Sequence, residues 1–135
     1  MSEMGVAPKL HLHSDIPVVE VEGVWDEATG QTIFDIVSDL IHTGHLEIIL
    51  NMTRMTRPLP IEVNWPAALE RMATTLRAHC GRLDVVGTVE QIEQYVRKQA
   101  QSRLFWAASE EEAVGRIKGL PVYRSGPILS LRLVR

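Results

Sequence analysis

The sequence has little cysteine, no long apolar run and no excess of positive charge. Cys80 is the only cysteine in 135 residues, so no internal disulfide can form and a reducing compartment is expected. No stretch approaches the roughly 18 consecutive apolar residues of a membrane span, and residues 1–15 lack the pattern of a signal peptide. The net charge of -3 gives no electrostatic argument for nucleic acid binding. We therefore expect a soluble, cytoplasmic protein.

The sequence also lacks the motifs of common enzymes. It contains no phosphate-binding glycine loop, no dinucleotide-binding glycine pattern and no nucleophile elbow. Its five histidines show none of the spacings typical of metal ligands. His79 and Cys80 are adjacent, but neighbours on a helix point about 100° apart. We predict a buried, structural Cys80 and no catalytic residue, metal or cofactor.

The spacing of apolar residues predicts an α/β fold. Between the short β-type runs, apolar residues recur three and four positions apart, which indicates four helices. The predicted strands are KLHLH (9–13), VVEVEGV (18–24), LEIILNM (46–52), RLDVVG (82–87) and RLFWA (103–107). The order β-β-α-β-α-β-α-β-α predicts one domain with a mixed, mostly parallel sheet of four to five strands and about four helices. The first strand is expected to pair antiparallel at an edge.

A C-terminal extension, residues 119–135, follows the predicted domain of residues 1–118. It contains ILSLRLV (128–134), whose composition is typical of a strand. Three interpretations stay open at this point. The extension is an added edge strand, a solvated arginine-containing tail, or an arm that pairs with another chain and forms a homodimer.

Three phrases stand at the junctions of the predicted elements. GVWDEAT (23–29) fits the pattern Gly-x-hydrophobic-Asp-x-x-Thr, and IILNMT (48–53) fits Val-Val-Leu-Asp-Leu-Ser with Asn51 at the aspartate. CGRLDVVG (80–87) matches three residues of Gly-Gly-Arg-Leu. In this order, over roughly residues 17–118, the chain resembles the STAS domain, named for sulfate transporters and anti-sigma factor antagonists. The resemblance implies a STAS-like fold and a bacterial binding module rather than an enzyme.

The resemblance also implies a phosphorylation site, and the sequence departs from the family at that site. In anti-sigma factor antagonists, a serine at the start of the second helix is phosphorylated by the partner kinase, and the added charge can abolish docking. Here Pro60 or Val63 occupies the position, depending on the direction of the count. We predict that control by phosphorylation at this position is absent. Whether Thr53 or Thr56 is modified stays open.

The first functional hypothesis is a non-catalytic signalling module that resembles an anti-sigma factor antagonist. Its partner would be a regulatory protein, such as an anti-sigma factor or a kinase-like protein. The predicted contact residues surround the join between the third strand and the second helix, where a helix N-terminus attracts anions: Asp26, Thr53, Arg54, Thr56, Arg57 and Asn64. An ordinary solvated loop is an equal interpretation of this segment.

The alternative hypothesis is a STAS-like protein that binds a small ligand or a lipid. Methionine adapts to irregular ligands, and five apolar residues near the same join could line a pocket: Met52, Met55, Leu59, Ile61 and Trp65. The simpler interpretation is that these residues close the core.

Overall fold

The computed structural model of this chain describes residues 8–23, 27–55, 65–98 and 103–119. Within these ranges the chain forms five strands and four helices, in the predicted order. The strands are β1 (Lys9–His13), β2 (Ile16–Gly23), β3 (Glu47–Met55), β4 (Arg82–Val86) and β5 (Leu104–Ala107). The helices are α1 (Glu27–His42), α2 (Trp65–Ala78), α3 (Glu90–Arg97) and α4 (Glu110–Lys118).

The five strands form one sheet in the order β1-β2-β3-β4-β5. β1 pairs antiparallel with β2, and the other neighbours pair in parallel. The α/β architecture, the mixed sheet and the antiparallel edge strand are therefore confirmed. Helices connect the parallel strands because a parallel pair needs a long crossover.

The sheet is covered on both faces, by helices of unequal number. Apolar residues of α1, α2 and α3 pack on one face and form the larger cluster, which includes Val19, Leu50 and Val85. On the opposite face Ala113 and Val114 of α4 pack on Ile49 and form a smaller cluster. The central strand β3 carries a nearly continuous apolar run because both of its faces are buried. β3 thus leads from the buried core to a group of polar residues at its C-terminal end.

The ends of two elements differ from the sequence-based predictions. β3 continues to Met55, so Thr53 and Arg54 belong to the strand and not to the following loop. The prediction of a buried Cys80 is wrong, because α2 ends at Ala78 and Cys80 is exposed in the left-handed region at φ 62°. The turn at Cys80 brings Gly81 close to the backbone of Leu46, the residue before β3. The predicted extension lies outside the described residues from position 120 onward.

Candidate functional site at the end of strand β3

Asn51 organises the C-terminal end of β3. Its side chain is buried, with 7% of the residue exposed. The Nδ2 group donates to Oε2 of Glu110 at 2.5 Å, and Oδ1 accepts from the backbone N and the Oγ1 of Thr53 at 2.9 and 2.8 Å. The amide therefore uses its donor and its acceptor at once. An aspartate here would supply no donor toward Glu110.

Glu110 joins two strands, β1 and β3, to the first turn of α4. Besides the Asn51 contact, its Oε1 accepts from Nδ1 of His13 at 2.9 Å and from Nε2 of His11 at 3.3 Å. Burial by itself raises the pKa of the Glu110 carboxyl, but the hydrogen bonds from His13, Asn51 and His11 outweigh it and lower the pKa below its usual value. The ionised carboxylate is thus the form that this cluster stabilises.

The helix that carries Glu110 has well-defined ends. The Oγ of Ser109 accepts from the backbone N of Glu112 at 3.1 Å and caps the N-terminus of the helix. The Glu112 side chain in turn accepts from the backbone N of Ala108 at 3.0 Å. Gly119, at φ 71°, ends the helix in the left-handed conformation. These contacts fix the first turn of α4 against the end of β3.

An irregularity in the β2–β3 pairing determines the direction of the Arg54 side chain. Glu20 pairs with Asn51 and Glu22 pairs with Arg54, so β3 has one extra residue over this interval. The bulge places the charged side chains of Arg54 and Glu22 on the same face of the sheet. Arg54 Nη1 lies 3.4 Å from Oε2 of Glu22, and its Nε lies 3.8 Å from Oε2 of Glu20.

The charges around Arg54 compensate each other. Lys9 Nζ is also 3.6 Å from Oε2 of Glu22, so two cations and three carboxylates, with Glu110, occupy this part of the sheet. The Arg54 side chain is 64% exposed but already has two acidic neighbours. The described part of the site is therefore mixed in charge, and it is not a basic patch.

A surface groove lies beside α2, the helix that follows the site in the chain. Its volume is about 480 Å³, and its lining residues come from α1 and α2: Phe34, Ala67, Glu70, Arg71, Thr74 and Thr75. The Arg71 guanidinium stacks over the Phe34 ring at 4.1 Å from the ring centre. The groove presents both apolar and hydrogen-bonding groups to an incoming surface.

A buried ion pair lies elsewhere on the α4 face of the sheet. Asp84 is completely buried, and both carboxylate oxygens accept from Arg82, at 2.7 and 2.9 Å. Burial raises the pKa of Asp84 more than the Arg82 guanidinium lowers it. Arg82 also stacks on the Phe105 ring. Both carboxylate oxygens of Asp84 accept from Arg82 within the sheet, so we assign a structural role to this ion pair.

The structure describes two of the predicted contact residues. Thr53 is exposed and its hydroxyl donates to Asn51, while Arg54 is exposed and paired as described above. The remaining predicted positions lie outside the described residues: Asp26, Thr56, Arg57, Pro60, Val63 and Asn64. Their roles stay predictions.

Sequence reasoning missed Glu110, His11 and His13 as neighbours of the site. The alternation in KLHLH places both histidines on one face of a strand, and this was the available signal. Glu110 lies in the acidic run SEEEA, which the helix dipole explains by itself, so the sequence gives no reason to single it out. Nothing in the local sequence indicates that these residues meet.

The described residues support the simpler interpretation of the methionines. Met52 and Met55 are 1% and 7% exposed and belong to the larger core cluster. Leu59 and Ile61 lie outside the described residues, as does the side chain of Trp65. The proposed ligand pocket therefore loses two of its members to the core.

The described residues also bear on metal binding and on membrane spans. They contain no group of three or more histidine, cysteine, aspartate or glutamate side chains arranged to hold a metal ion. Likewise, within residues 8–23, 27–55, 65–98 and 103–119, no helix combines the length and apolar character needed to cross a membrane.

No protein-family profile and no curated protein sequence matches the chain. Among solved structures, the anti-sigma factor antagonist SpoIIAA in its unphosphorylated form matches with a TM-score of 0.62 and 26% identity, over 84% of this chain and 100% of that one. The chain has a STAS-like fold.

Two other structures share this STAS-like fold. The Bacillus cell fate determinant SpoIIAA in its phosphorylated form matches with a TM-score of 0.63 and 20% identity, over 82% of this chain and 99% of that one. An uncharacterised protein of the DUF3478 family from Shewanella loihica PV-4, with a SpoIIAA-like fold, matches with a TM-score of 0.50 and 13% identity, over 86% and 98%. The low identities indicate a divergent STAS-like chain.

Proposed function

We propose that this chain is a non-catalytic signalling module that binds another regulatory protein, in the manner of an anti-sigma factor antagonist. The observation that carries the proposal is the likeness to SpoIIAA, which extends over that protein's whole length. The partner is an anti-sigma factor or a kinase-like protein. The predicted contact residues form the docking surface: Asp26, Thr53, Arg54, Thr56, Arg57 and Asn64.

The polar arrangement at the end of β3 supports this proposal. The Asn51 side chain accepts a hydrogen bond from the backbone N of Thr53, and the two glutamates of β2 hold Arg54 in an exposed position. A contact surface held by internal hydrogen bonds loses less conformational entropy on binding. Exposed arginines at such positions are frequent energetic centres of interfaces.

The absence of phosphorylation control is the second part of the proposal. Asn51 stands where STAS antagonists carry an aspartate, and its amide is committed to Glu110 and Thr53. With Pro60 or Val63 at the serine position, the chain offers no hydroxyl there. Binding is therefore constitutive with respect to this switch.

The docking surface is tested with the double variant Arg54→Glu/Arg57→Glu and the anti-sigma factor kinases of the same genome. We expect at least a tenfold loss of affinity by titration calorimetry, about 1.4 kcal/mol, because two charges are reversed at the contact. Arg77→Glu is the matched control. It makes the same change in the last turn of α2, about 18 Å along the helix from its start.

The outcome depends on the comparison of these variants. Thermal unfolding of both variants establishes that they are folded, since Arg54→Glu adds a third carboxylate beside Glu20 and Glu22. Equal affinities for the wild-type chain and the double variant would contradict the docking surface. For the switch, incubation with the bound kinase and ATP followed by intact mass measurement is expected to show no phosphoryl transfer; transfer to this chain would refute that part.

A further inference from the structure

The edge strand β1 presents apolar side chains to solvent. Of the residues that the structure describes, the large hydrophobic side chains that are exposed are Leu10 and Leu12, at 53% and 63%. Both lie on β1, which stands at one end of the sheet order and pairs with β2. An edge strand leaves a row of unpaired N–H and C=O groups, which is a template for pairing with another strand. Something of matching pattern is therefore needed to cover it.

The opposite face of β1 is polar and held in place. Lys9, His11 and His13 point to this face, where Glu22 and Glu110 are their acidic neighbours. β1 thus carries leucines on one face and, on the other face, basic side chains that pair with carboxylates. A strand that pairs with it should have large apolar residues at alternate positions and polar residues between them.

Residues 128–134 have this pattern. In ILSLRLV, Leu129, Leu131 and Leu133 alternate with Ser130 and Arg132. In a strand the three leucines lie on one face and Arg132 on the other. Paired with β1, the leucines would meet Leu10 and Leu12, and Arg132 would lie on the polar face, where Glu22 and Glu110 already pair with residues of β1. The apolar sides of the two segments are complementary.

The chain is long enough for this segment to reach β1 of its own molecule. Glu110, at the start of α4, touches β1, and the nine residues of α4 span about 13 Å. Residues 120–127 add up to about 28 Å of extended chain. The second edge strand, β5, has less apolar surface to cover, because Leu104 and Trp106 are buried and Phe105 is half-buried.

We propose that residues 128–134 pair with β1 of the same chain as a sixth strand and cover Leu10 and Leu12. This pairing removes the exposed apolar edge at β1. Because β1 also contacts α4 through His11, His13 and Glu110, the sixth strand would stabilise the β1–α4 contact as well.

The proposal is tested by residue-resolved hydrogen exchange of the backbone amides in β1. We compare the full chain with Leu129→Ser/Leu131→Ser/Leu133→Ser and with a chain that ends at residue 127. In both, the β1 amides that point away from β2 should exchange at least tenfold faster than in the full chain. The matched control is Val122→Ser/Tyr123→Ser, which removes apolar groups from the same tail outside the pairing segment and should leave β1 unchanged.

Each outcome decides the proposal. Faster exchange in β1 with unchanged exchange in β4, in a chain that light scattering shows to be monomeric, supports same-chain pairing. Unchanged β1 exchange in both the triple variant and the shortened chain would overturn it. If β1 protection instead falls on dilution together with a dimer-to-monomer transition, the segment comes from a second copy and same-chain pairing is refuted.

Discussion

At the scale of single residues, the contact between Asn51 and Glu110 gives a physical reason for the departure from the STAS pattern. The usual aspartate would place a second carboxylate 2.5 Å from Glu110, where the Asn51 amide now donates. A buried carboxylate and a partly buried one at that distance cannot both ionise without a cost. Asparagine at position 51 therefore favours the stability of this chain.

This leads to a prediction for Asn51→Asp. The variant should unfold more easily at pH 7, by about 1–3 kcal/mol, because a donor is lost and the carboxylate of Glu110 is left without it. The wild-type pKa of Glu110 is lowered, so its contribution is present above the unfolded pKa and is lost as pH falls through the folded pKa. In the variant, repulsion raises the pKa of Glu110 and of the new carboxyl at position 51. Protonation therefore relieves the repulsion at a higher pH than that at which Glu110 protonates in the wild type.

The measurement is urea unfolding at pH 7 and at about pH 4.5. The stability difference between wild type and Asn51→Asp should shrink at the lower pH. The double variant Asn51→Asp/Glu110→Gln restores one donor and one carboxylate and should recover most of the loss at pH 7. An equal deficit at both pH values would show that repulsion is not the cause.

At the scale of elements, the turn from α2 into β4 depends on a close backbone approach. Gly81 packs against β3's neighbour Leu46, and a Cβ at position 81 would lie 2.4 Å from the backbone oxygen of Leu46 and 2.9 Å from Cδ2 of Leu76. The backbone N of Arg82 also donates to the Leu46 oxygen at 2.8 Å. This contact places the start of β4 beside β3.

We therefore predict that Gly81→Ala destabilises the fold by about 1–3 kcal/mol, as is typical of overpacking. Backbone has to move because the clash involves a carbonyl and not the end of a flexible side chain. Gly87→Ala is the control, since its added Cβ would meet Trp106 at 3.2 Å and a side chain can adjust. Urea unfolding of both variants should show the larger loss for Gly81→Ala, and the reverse order would contradict this account.

At the scale of the whole molecule, the two faces of the sheet differ in how much apolar surface they bury. The cluster under α1, α2 and α3 is much larger than the one under α4. Because α4 packs on few apolar residues, its attachment relies more on the polar contacts of Glu110. Regions with little apolar burial open at lower free energy than the core.

Native-state hydrogen exchange tests whether α4 opens at a lower free energy than the core. Amides of α4 should exchange through local opening, at a lower free energy than amides of β3 between Ile48 and Leu50, which should report global unfolding. Glu110→Gln should lower the α4 value further while changing β3 less. If α4 and β3 exchange with the same free energy, the molecule opens as one unit and the α4 layer is not separately attached.

The secondary structure was predictable because its signals are local. Apolar residues repeat with a period of two in β2 and at three and four positions in α1, and these periods are visible without any partner. The N-cap contact of Ser109 is local in the same way, because a cap contacts only its own helix. The errors occurred at ends: β3 continues past Met52, and Cys80 lies beyond α2, where the adjacent backbone decides the turn.

The sequence by itself determined the α/β order and the antiparallel edge strand. Only the tertiary structure brought Glu110 together with His11, His13 and Asn51, which are 99, 97 and 59 residues away in the chain. It also paired Arg54 with two glutamates of β2 through a bulge. The physical reason is that strand register and the position of α4 depend on the packing of the entire sheet, which no local pattern specifies.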